Sequence, residues 1–151
     1  MKRLPILQVE DDEHDVFFLA HAFKQAEITN PIQVVYDGKE ALDYLSRAGN
    51  LPQRSRYPLP CLIILDLKLP RITGMEMLAW LRQESGLPPI PVIVFSSSAH
   101  RNDVERAFAL GANAFVAKPG SVVERVRFAK AVKEFWLHFN EVPEYLMHSI
   151  Q

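Results

Sequence analysis

Five short apolar runs divide the chain, and the segment between each pair is long enough to form a helix. The runs are nearly continuous in hydrophobicity, which is typical of parallel strands that are covered on both faces of a sheet. They cover residues 4–9, 32–36, 61–65, 92–95 and 114–117. We therefore predict five buried strands.

The segments between and after these runs carry apolar residues at helical spacing. They predict helices over residues 17–26, 39–48, 75–83, 104–110 and about 121–139. Strands that alternate with helices form parallel sheets through right-handed crossovers, which place helices on both faces. We predict a flavodoxin-like, doubly wound α/β fold: a five-stranded sheet of order 2-1-3-4-5 with five helices, an extended last helix and a C-terminal tail.

Charged side chains directly follow three of the predicted strands. Glu10 and Asp11 come after the first strand, Asp66 after the third and Lys118 after the fifth. Because the carboxyl ends of parallel strands meet at one edge of the sheet, we expect these side chains to gather there. Close carboxylates repel one another, and a divalent cation and the lysine ammonium would relieve that repulsion. The sequence therefore predicts an acidic, cation-binding pocket.

Composition narrows the class of protein. The chain has 151 residues, of which 48% are hydrophobic and 23% charged, values that favour one folded domain. The formal net charge of -1 gives no general attraction to nucleic acid, and we expect no nucleic-acid partner. Cys61 is the only cysteine, which excludes an internal disulfide and fits a reducing compartment. We expect a domain over residues 1–140, a tail over 141–151 and no separate output domain.

The N-terminal segment has basic residues but only a short apolar stretch before Glu10. That stretch is too short for the core of a signal peptide, and no apolar run is long enough to span a membrane. We expect a cytoplasmic protein without a membrane partner.

Four separated motifs, in a fixed order, carry a family resemblance. They are V-E-D-D-E at 9–13, L-D-L-K-L-P at 65–70 with Gly74, V-F-S-S-S at 94–98 and F-V-A-K-P at 115–119. Together they resemble the CheY-like receiver domains of two-component response regulators, over about residues 4–139. The resemblance implies a phosphoacceptor signalling protein that is not an enzyme. It implies that Asp66 receives a phosphoryl group from a histidine kinase and that the aspartyl phosphate alters protein association.

The resemblance also assigns the other groups of the pocket. Mg²⁺ or another divalent cation would be held by Glu10, Asp11, Asp66 and the backbone carbonyl of Lys68. Phosphoryl oxygens would be stabilised by the Ser96 hydroxyl and the Lys118 ammonium. In this interpretation the chain assists its own phosphorylation and slow dephosphorylation.

Several further roles follow from the same resemblance. Ser96 and Phe115 would form the switch, although Phe115 lacks the hydroxyl of the tyrosine that is usual in the family. Lys68 and Ser98 would border the path of hydrolytic water and tune the lifetime of the phosphoryl group. Pro119 resembles a cis proline that aims the preceding lysine into the pocket.

The last helix carries more apolar residues than one core-facing stripe requires. We expect one face to include Val122, Ala129 and Phe139, while Phe128 and Phe135 lie towards a second side. A homodimer through the last strand and helix region would cover that side, and packing within the chain is the alternative. The tail, including Ile150, could pack back or cross to a partner. The chain also resembles stand-alone receivers that are partnered with bacterial and cyanobacterial phytochrome kinases.

Two other functional classes place an acid after a strand of a similar fold. An aspartate-nucleophile phosphatase would need a second acid two residues after Asp66, where this chain has Lys68. A flavodoxin-like binding module would need a glycine-rich phosphate loop after the first strand, where Glu10 to Glu13 stand instead. The sequence favours the receiver over both classes.

Overall fold

The computed structural model describes residues 3–147, with side chains up to residue 145. Five parallel strands form one sheet of order β2-β1-β3-β4-β5. The strands are β1 Ile6–Val9, β2 Ile32–Val35, β3 Leu62–Leu65, β4 Val92–Ser96 and β5 Ala114–Ala117. The predicted fold class and strand order are confirmed.

The strands end together at one edge because their register is aligned. Val9 at the end of β1 lies opposite Leu65 at the end of β3, and Leu65 lies opposite Val94 of β4. Ser96 then pairs with Ala117, the last residue of β5. The residues that follow β1, β3 and β5 therefore emerge at the same edge of the sheet, as the sequence predicts.

Five main helices cover the two faces of the sheet, and a short sixth follows. The five are α1 Glu13–Gln25, α2 Gly38–Ala48, α3 Gly74–Gln83, α4 Arg101–Ala109 and α5 Val122–Ala131. Helix α1 packs against α5 and α2 packs against α3, while β1, β3 and β4 are buried throughout. Burial on both faces explains why these strands contain few polar residues.

Helix α1 begins four residues before the predicted start at Phe17. The Asp12 carboxylate caps it by accepting hydrogen bonds from the backbone N–H groups of His14 at 2.8 Å and Asp15 at 3.4 Å. Hydrophobic periodicity missed the first turn because that turn is polar, whereas the capping interaction specifies it. The early start places Asp15 on the helix, close to the carboxyl edge of the sheet.

The extended last helix that the sequence predicts over about residues 121–139 is confirmed. It is α-helical to Ala131 and continues as a π-helical segment over Val132–Phe139. A π-helix has a wider turn than an α-helix. Val132 is buried and Trp136 still packs against the core, whereas Phe139 at the end of the segment departs from the predicted face. Phe139 is 64% exposed.

The structure also decides the surroundings of Val122 and Phe128, and the prediction for Val122 is wrong. Val122 was expected on the core-facing side but is 52% exposed, because it occupies the first turn, beyond the part of α5 that reaches the core. Phe128, which the sequence places towards a second side, is covered by packing within the chain, the alternative to a homodimer: its ring stacks on Phe95 of β4 with centroids 4.7 Å apart. The position of α5 over the sheet decides both outcomes.

The described part of the tail packs back on its own chain. Its short helix α6 spans Glu144–Met147. The Tyr145 hydroxyl donates to the carbonyl oxygen of Pro89 at 3.3 Å, and Val142 packs against the core. Ile150 lies outside the described residues. Among residues 3–147, no helix has the length and apolar character that crossing a membrane requires.

Gly74 allows the start of α3 to approach the backbone around Asp66. Its N–H donates to the carbonyl oxygen of Leu67 at 3.0 Å. A Cβ at position 74 would collide with the backbone of Asp66 and lie 2.7 Å from the Cα of Leu67. The loop that carries Asp66 is therefore held in place by a contact that only glycine permits.

We predict that Gly74→Ala destabilises the protein by about 2 kcal/mol, because the added methyl group must displace backbone. Urea-induced unfolding followed by circular dichroism measures the change. Gly120→Ala is the matched control: a Cβ there meets nothing within 4 Å, so we expect a change within about 0.5 kcal/mol. Equal midpoints for Gly74→Ala and the wild type would contradict the close approach.

Candidate functional site

An acidic cluster of Glu10, Asp11 and Asp66 lies at the carboxyl edge of the sheet. One carboxylate oxygen of each residue lies within 4.8 Å of one oxygen of the other two. Glu10 and Asp66 are buried, with 2% and 7% exposure, whereas Asp11 is exposed. The cluster therefore has two fixed, desolvated carboxylates and one that faces solvent.

The Lys118 ammonium enters this cluster from the end of β5. Its Nζ donates to Glu10 Oε1 at 2.7 Å and to Asp66 Oδ2 at 3.3 Å. The backbone N–H of Lys118 donates to the carbonyl oxygen of Ser96 at 2.7 Å, which extends the pairing of β4 and β5 by one residue. The structure thus brings together the charged residues that the sequence predicts to meet.

The prediction of a cis proline at position 119 is wrong, because the peptide bond before Pro119 is trans. A trans bond is the lower-energy form even before proline, by about 0.5–1 kcal/mol. Lys118 is aimed by the strand instead: it follows Val116 on the same face of β5, which is the face of Asp66 and Glu10.

A fourth acid, Asp15, contacts the ammonium and was missed as a pocket residue by the sequence analysis. Its Oδ2 accepts from Lys118 Nζ at 2.8 Å. Asp15 lies three residues after the Asp12 cap, in the first turn of α1, where the helix dipole favours an acid. Only the packing of α1 against α5 brings it to Lys118.

The pKa values of both Glu10 and Lys118 are raised, for different reasons. Burial raises the pKa of Glu10 to about 7, and the nearby Asp66 carboxylate adds to this although the hydrogen bond from Lys118 opposes it. Burial also disfavours the charge on Lys118. The hydrogen bonds to Asp15 and Glu10 and the charge of Asp66 outweigh that effect and raise the pKa of Lys118. The ammonium is thus firmly protonated at neutral pH.

The remaining predicted residues lie around the cluster. The backbone N–H of Lys68 donates to Asp66 Oδ1 at 3.4 Å, while the residue itself is exposed. Ser96 is 2% exposed, and its Oγ accepts from the backbone N–H of Ser98 at 3.3 Å. Half-buried Phe115 lies opposite Val94 in the sheet. Because Val94 and Ser96 share a face, Phe115 lies on the face of the Ser96 side chain.

Comparison with known proteins decides what this arrangement is. A model of the response regulator receiver domain matches residues 6–129. This chain belongs to the response regulator receiver domain family. Membership makes it a two-component signalling protein with a phosphoacceptor pocket, and it decides against the phosphatase and flavodoxin-like alternatives. A histidine kinase is the partner that a receiver domain implies.

Relatives from two biological settings are similar to this receiver along most of its length. The probable methanogenesis regulatory protein FilR2 of Methanothrix harundinacea is 35% identical over 138 residues, which is 91% of this chain and 86% of FilR2. The response regulator Rcp1 of Synechocystis is 30% identical over 138 residues, which is 91% of this chain and 92% of Rcp1.

A solved structure agrees with the fold and points to phytochrome-associated relatives. The phosphorylated cyanobacterial phytochrome response regulator RcpA superposes with a TM-score of 0.82 at 30% identity, over 93% of this chain and 99% of RcpA. The receiver is thus similar to phytochrome response regulators both in sequence and in strand arrangement.

The acidic cluster suits a hard divalent cation. Carboxylate oxygens are the ligands that Mg²⁺ and Mn²⁺ prefer, and the cluster of Glu10, Asp11 and Asp66 supplies three within a small volume. The structure of Rcp1 that superposes with a TM-score of 0.77, at 30% identity and over 93% of this chain and 99% of that one, is its Mn²⁺-bound form. An acidic cluster of this kind is typical of the cation site of a receiver.

We predict that Mg²⁺ binds more weakly as the pH falls. The pKa of Glu10 is raised to about 7, so a proton competes with the cation for this carboxylate just below neutral pH. The dissociation constant should rise about tenfold from about pH 8 to about pH 6, as measured by calorimetric titration.

Glu10→Gln is the matched control, since its amide does not titrate and a flatter pH profile should result. An equally steep profile in this variant would show that another group is responsible.

Proposed function

We propose that Asp66 accepts a phosphoryl group from a histidine kinase and that the product changes the association of this receiver with other proteins. The observation that carries the proposal is the contact between the buried Asp66 carboxylate and the Lys118 ammonium, 3.3 Å apart beside two more acids. A carboxylate oxygen of Asp66 is the nucleophile, and the Lys118 ammonium is the fixed cation beside it.

The transfer requires Asp66 to attack phosphorus in line with the bond to the donor histidine nitrogen. That P–N bond breaks as the acyl phosphate forms, and the imidazole leaves. The phosphoryl group is already negative. Cations that contact its equatorial oxygens, together with correct positioning, therefore supply most of the catalysis. Asp66 lies at the end of a rigid buried strand, which supports such positioning.

We assign the cation ligands to Glu10, Asp11, Asp66 and the backbone carbonyl of Lys68. A bound Mg²⁺ would supply the first positive charge for the phosphoryl oxygens. The three carboxylates of the acidic cluster support the assignment because their oxygens already converge. Asp11, which is exposed, is open to the solvent from which a hydrated cation arrives.

Lys118 and Ser96 would hold the phosphoryl oxygens after transfer. The ammonium of Lys118 already donates to Asp66 Oδ2, so it can follow the added group with a small movement. Ser96 lies at the same edge of the sheet, as the last residue of β4, and its hydroxyl can donate to a phosphoryl oxygen. The backbone N–H of Lys68 contacts Asp66 and that of Ser98 contacts Ser96, and we assign these two residues to tuning the lifetime of the acyl phosphate.

We propose that Ser96 and Phe115 form the switch. They lie on the same face of neighbouring strands, because Val94 pairs with Phe115 and Ser96 pairs with Ala117. A shift of Ser96 towards a phosphoryl oxygen would open space that Phe115 could enter. Packing alone carries this coupling, since phenylalanine offers no hydroxyl.

We propose that the chain consists of a receiver unit over residues 1–140 and a tail over 141–151. The output that we propose is a homodimer through the last strand and helix region. β5 is an edge strand of the sheet, and beyond α5 the side chains of Phe135 and Phe139 are 54% and 64% exposed. Two exposed phenylalanines on one segment favour burial against another chain. We infer no nucleic-acid partner, because the net charge is -1.

The partner kinase that we propose is of the phytochrome class. The support is similarity: RcpA is described as a cyanobacterial phytochrome response regulator, and it matches 93% of this chain. The cytoplasm, where such kinases present their phosphohistidine, is the location that this proposal requires.

We predict that acetyl phosphate with Mg²⁺ adds one phosphoryl group to the wild-type protein and none to Asp66→Asn. Intact-mass spectrometry measures the addition. The control is Asp43→Asn, an exposed acid that pairs with Lys39 at 3.8 Å and should be modified like the wild type. Modification of Asp66→Asn would refute the acceptor assignment. Modification by acetyl phosphate but not by an autophosphorylated phytochrome kinase would refute that kinase class alone.

We predict that the wild-type protein sizes as a dimer and that Phe135→Asp weakens the dimer at least about tenfold, because a buried phenylalanine contributes about 1.5–3 kcal/mol. Light scattering with and without beryllofluoride measures the mass in both states. Leu51→Asp is the control, since Leu51 is 72% exposed and lies outside the proposed interface. A wild-type monomer in both states would refute this output.

A further inference from the structure

The Lys118 ammonium has three N–H donors, and the structure directs them to three different carboxylates. It donates to Glu10 at 2.7 Å, to Asp15 at 2.8 Å and to Asp66 at 3.3 Å. Two of these acids, Glu10 and Asp66, belong to the acidic cluster. Asp15 does not belong to the cluster, so it is the partner of Lys118 that would contact neither the cation nor the phosphoryl group.

Asp15 is held independently of the cluster. It stands in the first turn of α1, where its backbone N–H donates to the Asp12 cap at 3.4 Å. Helix α1 is fastened to the segment after β5 by Arg125: its guanidinium lies 4.3 Å from the Phe18 ring centroid, and its Nε donates to the Pro119 carbonyl at 3.1 Å. Lys118 and its Asp15 partner therefore belong to two elements that are tied together.

We propose that Asp15 is a positioning residue for phosphoryl acceptance, which holds the Lys118 ammonium over Asp66 when the cluster carboxylates turn to the cation. The inference rests on the function proposed above for Asp66 and Lys118. One N–H of the ammonium stays with Asp15, and the other two remain for the oxygens of the acyl phosphate. Asp15 itself touches neither the phosphorus nor the cation.

The alternative is that Asp15 competes with the phosphoryl group for Lys118 and slows the transfer. The donor count argues against it, because an ammonium can serve Asp15 and two further acceptors at once. Without Asp15, the four-carbon side chain loses its link to α1 and must be oriented by Glu10, which the cation shares. Moving the Lys118 ammonium away from Asp66 lowers the transfer rate more than partial neutralisation of its charge by Asp15 does, because catalysis here depends on the position of the charge.

The test compares Asp15→Asn with Asp12→Asn and Asp15→Glu. Asp12→Asn removes one negative charge from the same helix but keeps the cap, because asparagine caps as well as aspartate. With acetyl phosphate and saturating Mg²⁺, we expect Asp15→Asn to lower the rate of Asp66 modification about tenfold and Asp12→Asn to change it less than about twofold. Asp15→Glu should recover most of the rate, since the longer carboxylate still reaches Lys118.

Mg²⁺ affinity separates positioning from a general loss of charge or fold. We expect the dissociation constant of Asp15→Asn to stay within about threefold of the wild-type value while the rate falls. A wild-type rate in Asp15→Asn, an equal loss in Asp12→Asn, no recovery in Asp15→Glu or a parallel loss of Mg²⁺ affinity would each overturn this inference. Failure of the proposed function looks different, because wild-type Asp66 would then remain unmodified.

Discussion

Among residues 3–147, the Lys118 ammonium is the positive charge that bonds the buried carboxylates at the carboxyl edge of this sheet and so stabilises them. Two carboxylates there are almost fully buried, and a buried charge without a partner is strongly unfavourable. Lys118 bonds both of them and also Asp15 on α1. The ammonium therefore offsets only part of the negative charge of the pocket. The remaining negative charge suits the pocket to receive a cation and keeps the lysine in its charged form.

The sheet supplies the rigidity on which this balance depends. Aligned register brings the ends of β1, β3 and β5 to one edge, and the close approach of Gly74 fixes the backbone beside Asp66. A pocket of like charges tends to spread, so the surrounding backbone must resist that tendency. Burial of β1, β3 and β4 on both faces provides the resistance, because their packing leaves little room for displacement.

The elements that build the pocket also reach the surfaces proposed for output. β4 carries Ser96 at the pocket and Phe95 beneath the Phe128 ring of α5. β5 carries Lys118 at the pocket, and α1 joins Lys118 through Asp15. A chemical change at Asp66 thus acts directly on Lys118, which follows β5, and through Lys118 on Asp15 of α1. The neighbouring strand β4 contacts α5 through the Phe95 and Phe128 rings. That continuity allows a local charge to alter packing at a distance.

The sequence alone determined the strand order, which follows from the alternation of strands and helices with right-handed crossovers. It also determined the meeting of Glu10, Asp11, Asp66 and Lys118, which follows from the positions of these charges directly after buried strands. The tertiary structure decided the partnership of Asp15, the trans bond before Pro119, the π-helical end of the last helix and the stacking of Phe128 on Phe95. The contacts of Asp15 and Phe128 depend on where a helix lies over the sheet. Hydrophobic periodicity tells which residues are apolar, whereas the approach of α1 and α5 to β4 and β5 results from packing between distant segments.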